Sequence, residues 1–184
     1  MRNKLIVVIM MTAFVFSIAG FAADQPEYVG VTKCKTCHNS DKYGAQYKKW
    51  EASKHSQAYE ALKSEGAKKK AELMKVKDPL TDGKCLTCHT TAFGAKNLAK
   101  TYKIEDGVTC EACHGAGSLY NKLSIMKDHK KAVAAGMVDK VDEKTCATCH
   151  KKDTPGHEHK FTTFDKEFAK IAHPVPAETD RRIK

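Results

Sequence analysis

The chain has 184 residues, a length for one compact domain with processing segments at its ends. Its formal net charge is +10, but the lysines are scattered rather than striped and arginine, the better reader of phosphate, is sparse, which argues against a nucleic-acid partner. Eight cysteines would permit a disulfide framework by count, but their spacing argues for a different chemistry.

Residues 1–22 read as a cleaved secretory signal. Arg2 and Lys4 make a basic start, Leu5 to Ala19 is almost wholly apolar, and small residues at Gly20 and Ala22 precede a polar turn at Asp24-Gln25-Pro26. The mature domain is then 23–176 with a frayed tail at 177–184, and loss of Arg2 and Lys4 lowers the net charge by two. This predicts a periplasmic protein. The alternative is an uncleaved anchor, because the apolar run is near the lower limit for a membrane span.

The first cysteine pair is Cys34-Lys35-Thr36-Cys37-His38, and the same pattern recurs at Cys85–His89, Cys110–His114 and Cys146–His150. C-x-x-C-H is the attachment signal for c-type haem: two thiols add to the porphyrin vinyl groups, and the histidine that follows reaches the iron. A redox dithiol needs one pair, not four, and a βαβ setting. Zinc held by two C-x-x-C pairs has no need of histidine after every second cysteine. The pattern therefore predicts four haems, with His38, His89, His114 and His150 as proximal ligands. Haem propionates supply the counter-charge for the excess lysine.

Five histidines remain, each facing a set of irons with a second position to fill. After the first motif, Ala45–Leu62 lacks Gly and Pro and predicts a helix; on it His55 shares a face with Ala58, Tyr59 and Leu62, widened by Tyr47 and Trp50. His55 is thus a distal-ligand candidate. Gly66 suggests a helix break, followed by a basic helix ending before Pro79. Beyond the third motif, Leu119, Leu123 and Met126 mark another helix with Ser118 as N-cap, and His129, one turn on, is a second candidate. His157 and His159 lie in a Pro-Gly loop, where a surface role fits as well as ligation. In the last helix Phe164, Phe168 and Ile171 face one way; His173 falls off that stripe, but Pro174 removes it from helical geometry and keeps it a candidate. Met74, Met126 and Met137 are the remaining possible ligands, though methionine on a helix face is usually packing. No run of segments alternates as strands do, so the class is mainly α: short helices and loops around four haems.

These residues resemble the tetrahaem cytochrome c-554 family. The resemblance rests on Tyr47, Trp50, Ser53 and His55 after the first motif, on "CLTCHTTAFG" and "GVTCEACHGAG" at the second and third, and on "FDKEFAKIAHPVP" after the fourth. It implies closely spaced haem pairs that accept electrons from a periplasmic redox enzyme, hydroxylamine oxidoreductase in the founding member. It also implies three irons with two histidines each, matched here by His55, His129 and His173, and an open second haem held by Cys85, Cys88 and His89. His157 and His159 depart from that pattern and could close the open iron. Two functions follow: an electron carrier between redox proteins, or an enzyme acting on a small nitrogen oxide such as nitric oxide at an open haem. Oligomeric state is not legible.

Overall fold

The computed structural model describes residues 25–151, 154, 157, 163–173 and 175–176. The expected signal segment, His159 and the expected tail lie outside them. Among the described residues ten α-helices form: α1 Val31–His38, α2 Gln46–Glu51, α3 Ala58–Ala61, α4 Glu65–Leu73, α5 Gly83–His89, α6 Glu111–His114, α7 Leu123–Met126, α8 His129–Ala134, α9 Glu143–Ala147 and α10 Phe164–Ile171. No strand occurs among the described residues; one isolated parallel bridge joins Tyr28 to Leu98. The mainly α expectation holds.

Local chemistry explains the shortness of the helices. The continuous helix expected over Ala45–Leu62 is two helices separated by turns, and His55 lies in the turns. Serine hydroxyls divert the backbone there: Ser53 Oγ donates to the Trp50 carbonyl (2.7 Å) and accepts the His55 N–H (3.2 Å), while Ser56 Oγ donates to the Glu51 carbonyl (2.9 Å). The next break falls at Ser64, not Gly66. Ser64 Oγ accepts the Ala67 N–H (3.1 Å) as the N-cap of α4, which carries Gly66 inside its first turn. Ser118, by contrast, is not a helix cap; its hydroxyl accepts the Glu27 N–H at 2.8 Å and so ties the two segments together. Asp128 ends the α7 stripe by capping α8 through the Lys131 N–H (3.1 Å), so His129 opens a new helix instead of extending the Met126 face. The helix before His173 forms as expected, with Phe164 and Phe168 stacked at 5.2 Å.

The polypeptide's own core is thin. Val29, Val31, Tyr47, Leu62, Val76, Leu86 and Tyr120 are its larger buried apolar residues, whereas Leu73 is 81% and Leu123 59% exposed. Such a chain buries too little apolar surface by itself and suits an interior completed by large cofactors. The N-terminal segment is pinned through one buried carboxylate: Glu111 accepts the N–H groups of Val29 (2.8 Å), Gly30 (2.8 Å) and Gly117 (2.7 Å). That single side chain links residues 29–30 to the third cysteine motif and to the segment just after it.

Candidate haem attachment and ligation sites

Helical spacing builds each attachment unit. Cysteines at i and i+3 with histidine at i+4 share one helix face, so two thiols and an imidazole point the same way. The first three motifs end α1, α5 and α6 at their histidines. The fourth runs past the end of α9 but keeps helical bonding, with His150 N–H to the Cys146 carbonyl at 2.9 Å. Asp82 and Asp142 cap α5 and α9 by accepting the N–H groups of Lys84 (2.8 Å) and Thr145 (3.0 Å).

Three of the four motif histidines are held in a metal-ready tautomer. Nδ1 of His38 faces Gln46 Oε1 (3.2 Å), that of His89 the Ala58 carbonyl (2.7 Å) and that of His114 the Val138 carbonyl (2.6 Å). Nδ1 must carry the proton to donate to these oxygens, which leaves Nε2 with a bare lone pair. His173 is oriented in the same way, its Nδ1 donating to the Ile171 carbonyl at 2.9 Å. Burial, then the neighbouring His150, lowers the pKa of His55; burial is also the main cause of the lowered pKa of His114. Both stay neutral at pH 7, as an iron-binding imidazole must.

Three motif histidines each face a histidine from elsewhere in the chain: His150 faces His55 at 6.0 Å between ring centroids, His114 faces His173 at 6.1 Å, and His89 faces His157 at 5.8 Å. Metal–imidazole bonds of about 2.0 Å, with roughly 1.1 Å from nitrogen to ring centre, set two imidazoles on opposite sides of one metal at about 6 Å. Ordinary aromatic pairs span that distance too. What distinguishes these pairs is recurrence: each joins one C-x-x-C-H histidine to one spare histidine. No group of three or more His, Cys, Asp or Glu side chains suited to a metal ion gathers among the described residues, and paired axial imidazoles do not require one. No such pair joins His38 to His129 among the described residues. His129 is placed differently, with Nε2 buried, 3.3 Å from Asp139 Oδ2 and in no hydrogen bond, an orphaned nitrogen suited to a metal.

The thiols give the order of the motifs in space. The Cys110 thiol beside Cys34 is the main cause of the raised pKa of Cys34. Burial first, then Cys146 close by, pushes Cys113 up to about 11. Burial and then Cys149 push Cys88 up to about 11. The first motif therefore neighbours the third, the third the fourth, and the fourth the second. A cleft of about 540 Å³ opens where the fourth meets the second, lined by Met74, Thr87, Cys88, Thr148 and Cys149 among others. The residues fit covalent haem: thiol pairs on one helix face, proton-fixed imidazoles behind them, and opposed imidazoles at the spacing of two axial ligands.

The residues flanking the motifs have structural work of their own. Trp50 Nε1 donates to the Val108 carbonyl (2.8 Å), and the Val108 N–H donates to the His55 carbonyl (3.0 Å), so the segment carrying His55 is laced to the third motif. Periodicity missed this lacing, because it joins segments more than fifty residues apart in sequence. Trp50→Phe is expected to cost about 1 kcal/mol through loss of that hydrogen bond, measured by guanidinium unfolding of the haem-loaded protein.

A chain built this way is a c-type cytochrome. A family model described as "Cytochrome c554 and c-prime" matches residues 33–115, which hold the first three motifs. Cytochrome c-554 of Nitrosomonas europaea is 34% identical over 148 residues, covering 70% of this chain and 59% of the relative. The chain thus spans under two thirds of that relative's length. No solved structure matches. The chain belongs to the cytochrome c-554 family.

Proposed function

We propose that the chain is a periplasmic tetrahaem cytochrome that carries electrons between redox proteins. Haem supplies a metal that gains and loses one electron without forming or breaking a bond to substrate. Cys34 and Cys37, Cys85 and Cys88, Cys110 and Cys113, and Cys146 and Cys149 would hold the four groups. His38, His89, His114 and His150 bind from the motif side. His55 and His173 are the distal partners of His150 and His114, and His129, with its orphaned Nε2, is left for His38.

The observation that carries this reading is the pairing of motif histidines with spare histidines, combined with neighbouring thiols that string the motifs in the order first, third, fourth, second. Two imidazoles saturate an iron, exclude substrate and favour a lower potential than a histidine–methionine pair. The chain's own part is to fix the ligands and the spacing of the groups it would hold. The apolar stretch within residues 1–22 supports export to the compartment where such cytochromes are loaded.

The test is a haem count by pyridine haemochrome on protein from an exporting host, followed by a spectroelectrochemical titration. Four haems per chain, with potentials in the low range of two-histidine ligation, are expected. Fewer than four, or loss of haem to acid acetone extraction, would overturn the assignment.

A further inference from the structure

We propose that His157 is the distal ligand of the second haem, so that this iron is closed rather than open. The proposal rests on the tetrahaem reading above. The resemblance implies an open face at the second motif, but the structure places His157 opposite His89, with ring centroids at 5.8 Å. That separation lies within 0.3 Å of the two pairs built on His150 and His114, at 6.0 and 6.1 Å. His89 is oriented to use it: Nδ1 is committed to the Ala58 carbonyl at 2.7 Å, which leaves Nε2 for a metal.

Independent contacts bring the stretch that carries His157 to the second motif. Cys149 Sγ lies 3.9 Å from the Thr87 carbonyl and contacts the Cys88 thiol. Lys151 and Thr154 line the same cleft as Thr87 and Cys88. The His157 N–H donates to the Thr154 carbonyl at 3.1 Å, which ties His157 to that cleft wall. His157 is solvent-exposed, and so is His150 within its own motif, so exposure does not separate a ligand from a bystander here. The fourth attachment unit therefore supplies, a few residues downstream, the cap of the second. This arrangement removes the open iron that a nitrogen-oxide enzyme would need.

The test uses the full chain loaded with haem in an exporting host. Dithionite-reduced protein is exposed to carbon monoxide, and the difference spectrum is scaled to total haem by pyridine haemochrome; electron paramagnetic resonance of the oxidised protein reports high-spin iron. The wild type is expected to bind no carbon monoxide and to show only low-spin signals. His157→Ala should keep four haems, bind carbon monoxide at one of them and gain a high-spin signal, while His159→Ala should match the wild type. A wild type that already binds carbon monoxide at one haem in four, or a His157→Ala variant that stays fully low-spin, would overturn the proposal. A haem count below four in the wild type would instead remove the tetrahaem reading beneath it.

Discussion

Glu111→Ala should be among the most destabilising single substitutions in the chain. The carboxylate is 2% exposed and receives three backbone N–H groups, those of Val29, Gly30 and Gly117, all on buried residues. Each buried donor left without a partner costs about 1–3 kcal/mol, so the loss is expected to be at least about 3 kcal/mol. That is a large part of the stability of a small domain. Glu111→Gln should fall between: its single carbonyl oxygen can serve Val29 and Gly117, as Oε1 does now, but its amide NH₂ would meet the Gly30 N–H donor to donor. Thermal unfolding followed in the Soret band would rank the wild type, Gln and Ala in that order. Equal stability of Ala and wild type would mean that the covalent haems, not this carboxylate, hold the N-terminal segment to the third motif.

Gly107→Ala should act on an iron that residue 107 does not contact. Gly107 has φ +70°, and a Cβ there would sit 2.8 Å from the His55 carbonyl oxygen and 3.2 Å from that of Ser56. A side chain at that φ costs about 1–3 kcal/mol in backbone strain, before the clash is relieved. Relief means moving the His55 turn, whose ring faces His150 at 6.0 Å and whose carbonyl is held by the Val108 N–H. The expected result is four haems still attached, with partial conversion of one from low to high spin, read by electron paramagnetic resonance and by new carbon monoxide binding. Unchanged low-spin spectra would show that the turn can shift without releasing its histidine.

These two positions also show how far the chain could be read before it was folded. "GVTCEACHGAG" was legible as an attachment unit, but its Gly107 and Glu111 gave no sign of the contacts they make with residues 55 and 29–30. Those contacts depend on chain segments far apart in sequence. The helical face assigned to His55 failed for a local reason: hydroxyls at Ser53 and Ser56 compete with the helix for backbone partners. His55 nevertheless faces a motif histidine, brought there by a laced turn instead of a helix face. His157 was ambiguous because a Pro-Gly loop has no periodicity from which to infer a direction.

Attachment chemistry is local, since two thiols and an imidazole at i, i+3 and i+4 converge by helix geometry alone; C-x-x-C-H therefore announces the cofactor, its covalent links and one ligand per iron in any fold. Which spare histidine meets which motif, and in what order the motifs adjoin, requires segments remote in sequence to be brought within a few ångströms. Long-range hydrogen bonds such as those of Glu111 and Trp50 do this, and they have a partner only once the chain is packed.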